Sequence, residues 1–294
     1  MSESRTRARR NRARRAVAAL AALPVILLAA PHAGAASSNT MTVKAGEYVY
    51  QLSGSPKAGW VTINFNNAGV EYHVMALAAL KKGVTAKQLV AAASSQDNAA
   101  FAKIAKGDGM VGSTPDVLAP GYKSTTITNL AAGHYGMLCY VPAPDGKPHF
   151  EHGMVKVFDI GTPKSSAKPP TDGVRDVTLT DSSITIPSNG IPRQATLKVT
   201  NTGTAQHSFT LAKINSGKTF ADAQAYFNAF FNSGTAQGEP PGEIVGGLSS
   251  VPPNGVGYLV TSLKPGHYAY FSTGGDAPPN DDVSKGLKGE FDVT

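Results

Sequence analysis

Cysteine is nearly absent from this sequence, since Cys139 stands alone among 294 residues. A single cysteine excludes an intramolecular disulfide framework, and it excludes zinc or iron–sulfur sites built from several thiolates. Long hydrophobic runs are also scarce. After Ala30 no stretch approaches the 18 consecutive apolar residues of a spanning helix, so we expect no membrane span in the mature chain.

The signatures of common enzyme classes are missing as well. The sequence contains no Gly-rich phosphate loop, no nucleophile elbow, no zinc-protease helix and no His-x-His pair. Catalytic function therefore has no direct support from motifs.

Positive charge is concentrated at the N-terminus. The formal net charge is +7, but seven arginines lie within the first fifteen residues, followed by an apolar run from Ala16 to Ala30 and a small-residue exit ending at Ala35. This pattern predicts a secretory signal peptide over residues 1–35 and a secreted or cell-envelope protein. An uncleaved anchor is the alternative, although the run is short for one. Without residues 1–35 the net charge is about +1, so we expect no nucleic-acid partner.

The mature chain repeats one plan. Residues 161–173 are rich in proline, serine and lysine, which predicts a linker between domains at 39–160 and 174–294. Asn67–His73 matches Asn201–His207, and Gly133–Tyr135 matches Gly266–Tyr268, at nearly constant spacing. This recurrence indicates an internal duplication.

Short alternating strands separated by Gly, Pro and Asn predict an all-β fold with two β-sandwiches in tandem. Each half should also contain one inserted helix. Thr85 and Gln88 form a capping box that opens a helix to about Ala105, and a second helix is predicted from Phe220 to Phe231. We interpret the aromatic residues of the second helix as packing against the sandwich.

The two halves differ where metal-binding side chains occur. Histidine recurs at His134 and His267, which indicates a scaffold role. Three other residues of the first half are replaced by different residue types at the matching positions of the second. They are Cys139, His149 and Met154, which pair with Ser272, Asp282 and Leu287. The joint presence of a thiol, an imidazole and a thioether in one half predicts a metal site.

A strand ending at Cys139 and another beginning after Met154 would bring these residues to one end of the sandwich, where His73 could supply a further ligand. Two imidazoles, a thiolate and a weak axial thioether are the donors of a blue-copper centre. Two alternatives stay open at this point. His152 competes with His149, and His73 has a scaffold counterpart in His207.

These residues resemble the cupredoxin family, through the strand–Asn-x-Gly–His pattern and the Cys…His…Gly-Met loop. The resemblance implies two cupredoxin-like Greek-key β-sandwiches and one type 1 copper bound by His73, Cys139, His149 and Met154. The second half would be a degenerate cupredoxin-like domain without copper.

The long Cys-to-His loop is most similar to the type 1 site of two-domain copper nitrite reductases. Those enzymes place a type 2 copper histidine directly before the cysteine, where this chain has Leu138. The absence of His-x-His pairs also departs from the multicopper oxidases. We therefore expect a single copper centre.

The resulting expectation is an exported copper protein that carries single electrons to or from a redox partner protein. Two alternatives are a metal-free cupredoxin-fold binding or structural module and a copper oxidoreductase related to the nitrite reductases. The oligomeric state is not defined by the sequence.

Overall fold

The computed structural model describes residues 39–294 except 96, 164–167, 234, 235, 237 and 275–279. The predicted signal peptide lies outside the described residues, as does part of the predicted linker. The first half contains nine strands and two helices: β1 Thr40–Gly46, β2 Val49–Ser53, β3 Gly59–Asn67, β4 Ala76–Leu80, α1 Ala86–Ser94, α2 Asn98–Ile104, β5 Ala105–Val111, β6 Thr114–Pro115, β7 Lys123–Leu130, β8 Gly133–Leu138 and β9 Val155–Ile160.

The second half contains eight strands and two helices among its described residues: β10 Val174–Leu179, β11 Ile184–Thr185, β12 Gln194–Asn201, β13 His207–Ile214, α3 Phe220–Ser233, β14 Gly242–Val251, β15 Val256–Ser262, β16 Gly266–Phe271, α4 Asp282–Lys285 and β17 Lys288–Val293. The first strand of each half pairs in parallel with the third, as β1 with β3 and β10 with β12.

Each half is a sandwich of two sheets. In the first half, β2-β1-β3-β7 faces β5-β4-β8-β9, and in the second, β11-β10-β12-β15 faces β17-β16-β13-β14. Side chains from both sheets share one core in each half. The predicted fold class, all-β with two sandwiches in tandem, is confirmed.

The two sandwiches are joined by hydrogen-bonded strands. β15 pairs antiparallel with β7, which makes a continuous eight-stranded sheet across both halves, and β14 pairs with β6. Helix α3 of the second half adds Phe220, Ala223 and Phe227 to the core of the first. The predicted aromatic packing of this helix is therefore present for Phe227, whereas the Phe231 side chain lies outside the described residues.

The inserted helices follow the predicted signals with two differences. One is the short helix α4, an additional helix in the half where one was predicted, which Asp281 caps by accepting from Ser284 N–H. Thr85 caps α1 in a capping box with Gln88, as predicted. The predicted helix to Ala105 is instead two short helices, because Asp97 caps a new start by accepting a hydrogen bond from Ala99 N–H at 2.8 Å. None of the described helices combines the length and the apolar content that a membrane crossing requires.

The asparagine of each repeat is a buried structural residue. In β3, inward positions carry Val61, Ile63 and Phe65, and Asn67 occupies the next inward position. Its Nδ2 donates to the carbonyls of Glu71 and Leu118 at 2.7 and 2.8 Å. Its Oδ1 accepts from the next glycine N–H at 3.0 Å. A buried amide satisfied in this way fixes the turn that leads to the repeat histidine.

Asn201 makes the same three bonds in the second half. Its Nδ2 donates to Ala205 and Val251 carbonyls, both at 2.8 Å, and its Oδ1 accepts from Gly203 N–H at 2.8 Å. The conserved geometry of the two halves explains why asparagine recurs at this position.

Replacing this amide should destabilise the protein. We expect Asn201→Ala to lower the free energy of unfolding by about 2–3 kcal/mol, because it leaves buried backbone groups without a partner. Asn215→Ala is the matched control, since the exposed side chain of Asn215 donates to the Pro240 carbonyl and its loss should cost less than about 0.5 kcal/mol. Urea unfolding measures both variants, and equal losses would contradict the assignment.

Candidate metal centre

The loop after β8 is folded so that its ends meet. Cys139 directly follows β8, and its carbonyl accepts from Phe150 N–H at 2.9 Å. His149 N–H donates to Val141 O at 2.9 Å, and Cys139 N–H donates to Met154 O at 3.1 Å. These bonds bring Cys139, His149 and Met154 to one end of the first sandwich, as the sequence predicts.

Gly153 sets the direction of the chain between the histidine and the methionine. A short 3₁₀ turn spans His149–His152 and ends at Gly153, whose φ is 106°. Side-chain-bearing residues rarely adopt this conformation. Its counterpart Gly286 has the same φ of 106°, so the turn belongs to the scaffold of both halves.

His73 reaches the same end from the segment just before β4, the strand that pairs with β8. Its N–H donates to Leu118 O at 3.2 Å, and its carbonyl accepts from Leu118 N–H at 2.8 Å. Asn67 bonds the same Leu118 carbonyl. The repeat asparagine thus anchors the segment that carries the histidine.

Three donor atoms converge at this end. His73 Nδ1 and His149 Nδ1 are 3.1 Å apart, and Cys139 Sγ lies 3.4 Å from His149 Nδ1 and 4.0 Å from His73 Nδ1. A point equidistant from the three atoms lies about 2.1 Å from each, within the range of about 2.0–2.3 Å for metal–nitrogen and metal–sulfur bonds. Among the described residues, these are the His, Cys, Asp and Glu side chains that converge as a group of three.

The chemistry of the donor set fits a cation. All three side chains are completely buried, and their donor atoms face one another. Two neutral imidazoles can place only one hydrogen between their facing nitrogens, and His73 Nε2 has no hydrogen-bond partner. A cation at the centre would satisfy all three donors.

Burial keeps the histidines neutral and the thiol protonated in the metal-free protein. Burial lowers the pKa of His73 to about 4, with the neighbouring His149 adding to the effect. Burial also lowers the pKa of His149, against the opposing influence of Glu71. The pKa of Cys139 is raised to about 11 by burial, although N–H groups of Val74 and Val141 favour the thiolate.

Met154 and His152, the remaining ligand candidates from the sequence, lie in different surroundings. Met154 is completely buried in the same core as Cys139, and its backbone bonds both Cys139 and His149. His152 is turned outward, where its Nε2 lies 3.1 Å from Asp145 Oδ1. The structure therefore groups His149, and not its competitor, with Cys139.

A rim of polar side chains around the histidines was missed by sequence analysis. Glu71 Oε2 lies 2.7 Å from His149 Nε2, and Tyr48 packs edge-on against the same ring with centroids 5.1 Å apart. Glu47 Oε1 is 3.9 Å from His73 Nε2, which is buried without a hydrogen-bond partner. One signal was available, because Glu71 pairs in the repeat with Ala205 and so differs between the halves as the ligands do.

Gly69 leaves space for this rim. A Cβ at Gly69 would lie 2.3 Å from Glu47 Oε1 and 2.8 Å from His73 Nε2. In the second half, a Cβ at Gly203 would lie 2.4 Å from Asp181 Oδ1. The glycine of the repeated motif is thus required because a carboxylate approaches the histidine past it.

The equivalent place in the second half is filled by hydrogen bonds. His207 Nδ1 lies 2.7 Å from Asp282 Oδ2, and His207 Nε2 lies 3.0 Å from Asp181 Oδ1. Ser272 Oγ donates to the same Asp282 oxygen at 2.5 Å. Asp282 and Ser272 stand where the first half has His149 and Cys139, and they give this histidine partners on both nitrogens.

The scaffold histidines are also equivalent between halves. His134 Nδ1 lies 2.8 Å from Asp159 Oδ1, and His267 Nδ1 lies 2.8 Å from Asp292 Oδ1. Both pairs lie between the last two strands of their half. This placement agrees with the structural role inferred from their recurrence.

Acidification should destabilise the metal-free protein. An unfolded histidine takes up a proton near pH 6.5, whereas His73 in the folded protein does so near pH 4. The unfolded state therefore binds more protons in this window, and stability falls as the pH is lowered through it. We expect His73 alone to contribute a loss of about 3 kcal/mol between pH 7 and pH 4.

Urea unfolding of the metal-free protein at several pH values measures this loss. The variant His73→Gln should show a shallower dependence between pH 6.5 and pH 4. Parallel curves for the two proteins would show that His73 is not the responsible group.

Space at Gly69 can be tested by adding one methyl group. We expect Gly69→Ala to lower the free energy of unfolding by about 1–3 kcal/mol, because the Cβ collides with the rim. Gly46→Ala is the matched control, since the nearest atom to its added Cβ is Val49 Cγ1 at 3.7 Å. Thermal unfolding of both variants decides the point, and an unchanged midpoint for Gly69→Ala would refute it.

Comparison with known proteins gives matches only among solved structures. No family model and no curated relative matches the chain. An auracyanin from the photosynthetic bacterium Roseiflexus castenholzii is 22% identical over 42% of this chain and 97% of its own, with a TM-score of 0.30. A multicopper oxidase is 13% identical over 87% of this chain and 88% of its own, with a TM-score of 0.25.

A copper-containing nitrite reductase from Thermus scotoductus is 12% identical over 87% of this chain and 61% of its own, with a TM-score of 0.22. These proteins include the cupredoxin classes that the sequence resembles. At TM-scores below 0.5 they decide nothing about this chain's chemistry, which is inferred below from its own side chains.

Proposed function

We propose that the protein binds one type 1 copper ion and carries single electrons outside the cytoplasm. The observation that supports this most directly is the convergence of His73 Nδ1, Cys139 Sγ and His149 Nδ1 at distances of 3.1–4.0 Å. The export part of the proposal rests on the predicted signal peptide at residues 1–35.

The donor types favour copper among the common metals. Sulfur donors suit Cu(I), imidazole suits copper in both oxidation states, and a trigonal set of two histidines and one cysteine is typical of electron-transfer copper sites. Met154, buried in the same core as Cys139, would supply the weak axial thioether. Bound copper would supply a one-electron couple between Cu(II) and Cu(I).

Backbone hydrogen bonds would hold the ligands in place before metal binding. Val74 N–H lies 3.5 Å from Cys139 Sγ and donates to it, which favours negative charge on the sulfur. The loop bonds to Cys139 and His149 fix the ligand backbones. A preorganised ligand set of this kind limits rearrangement when the charge of the site changes.

The closed surroundings favour an electron carrier over a catalyst. A catalytic metal keeps an open position for water or substrate. His73, Cys139 and His149 are all completely buried, and Glu71 and Tyr48 cover the outer side of His149. Electrons can cross such a barrier whereas a substrate cannot reach the ligands, so the proposed partner is a redox protein.

Copper loading tests the proposal. We expect the mature protein to bind one Cu(II) and to show intense visible absorption from thiolate-to-copper charge transfer. Cys139→Ser should abolish this absorption completely, because it removes the only thiolate. A colourless, copper-free protein after reconstitution would refute the proposal and leave the metal-free module as the alternative.

Two variants serve as matched controls for the ligand assignment. His152→Gln should keep the absorption, since His152 faces Asp145 instead of the centre. Met154→Leu introduces the residue that the second half carries as Leu287. It should keep the colour while changing the reduction potential, because the axial bond is weak. Loss of colour in His152→Gln would require a different ligand set.

A further inference from the structure

The contact between Glu71 and His149 carries an inference beyond the ligand set. Glu71 Oε2 lies 2.7 Å from His149 Nε2, which is hydrogen-bond distance, although the ring N–H does not point directly at that oxygen. The glutamate side chain is 24% exposed and the histidine completely buried. The carboxylate therefore stands between the imidazole ring and solvent.

The two ring nitrogens of His149 have different tasks. Nδ1 lies 3.4 Å from Cys139 Sγ, so Nδ1 must be free of hydrogen to bind a metal beside that sulfur. In a neutral imidazole the hydrogen then resides on Nε2. Nε2 is the atom that faces the Glu71 carboxylate.

We propose that Glu71 is a positioning residue that holds the ring hydrogen of His149 on Nε2, keeps Nδ1 available for metal, and lowers the reduction potential of the centre. This inference rests on the proposed copper function. Carboxylate–histidine–metal arrangements fix the histidine tautomer and increase the basicity of the ligand nitrogen.

The surroundings of Glu71 hold its carboxylate in place. Tyr48 Oη donates to Glu71 Oε1 at 3.3 Å, while the Tyr48 ring packs against the rings of both His149 and His152. One glutamate oxygen is thus directed by the tyrosine and the other faces the imidazole. The same two side chains that orient His149 also cover it.

Comparison within the molecule supports a specific role. Glu47, the carboxylate nearest His73, is 3.9 Å from His73 Nε2 and out of hydrogen-bond range. An acid recurs in the repeat at this position as Asp181, whereas Glu71 is replaced by Ala205. Glu71 is therefore present in the half that has the thiol and absent from the half that lacks it.

A negative charge next to a ligand stabilises the more positive oxidation state of the bound ion. Removing the Glu71 charge should therefore favour Cu(I) over Cu(II). We expect the ratio of the Cu(II) and Cu(I) affinities to shift about tenfold, which corresponds to a rise of 59 mV in the one-electron potential.

Two variants separate the hydrogen-bond role from the charge. Glu71→Gln keeps an oxygen acceptor and removes the charge, so the Nε2–H tautomer should persist while the potential rises. Glu71→Ala removes both, so His149 should populate both tautomers and copper affinity should fall. Glu47→Ala is the control for the tautomer, and Glu290→Gln in the second half is the control for the potential.

The tautomer is measured in the metal-free protein by two-bond proton–nitrogen NMR spectra of the histidine rings at pH 7.5, and the potential by redox titration of the copper-loaded protein. Backbone amide spectra confirm that each variant is folded. An unchanged His149 tautomer in Glu71→Ala, or an unchanged potential in Glu71→Gln, would overturn the proposal.

These outcomes are distinguishable from failure of the copper function. If the wild-type chain binds no copper, the proposed function is wrong. The NMR comparison still decides then whether Glu71 controls the His149 ring. If the wild type binds copper and Glu71→Ala retains a pure Nε2–H ring, only the role of Glu71 is wrong.

Discussion

Burial of three metal-binding side chains with their donor atoms facing one another is the constraint on which the first half depends. His73, Cys139 and His149 have no contact with solvent, and their facing nitrogen and sulfur atoms lie 3.1–4.0 Å apart. The fold holds them there through the folded loop after β8 and through Asn67 on the opposite sheet. A cation at the centre would be bound by all three donors at once.

The second half has the same backbone arrangement, but different side chains surround its histidine. His207 occupies the place of His73, but a carboxylate and a hydroxyl, Asp282 and Ser272, replace the second imidazole and the thiol. Because these groups hydrogen-bond to one another and to the histidine, the cluster is complete without a cation. The second half can thus keep the scaffold. Its helix α3 adds side chains to the core of the first half, and its strand β15 extends the first half's sheet by pairing with β7.

Comparison of the repeats made much of this predictable from the sequence. Residues shared by both halves, such as Asn67 and Asn201, are scaffold, and most of the candidate site consists of residues present in one half. His73 is the exception, because the second half keeps a histidine there as His207. The same comparison applied to Glu71 would have revealed its link to the ligands. The break between α1 and α2 was not predicted, because the capping signal at Asp97 lies inside a stretch that is otherwise favourable for helix.

The sequence by itself determined the alternating strands, the duplication and the residue types that can bind a metal, because periodicity, turn residues and side-chain chemistry are local properties. Only the tertiary structure decided that His149 and not His152 joins Cys139, that Glu71 lies behind that ring, and that the two halves share one sheet. Each of these depends on distances between residues far apart in the chain or on the direction of a single turn, which strand and loop patterns do not specify.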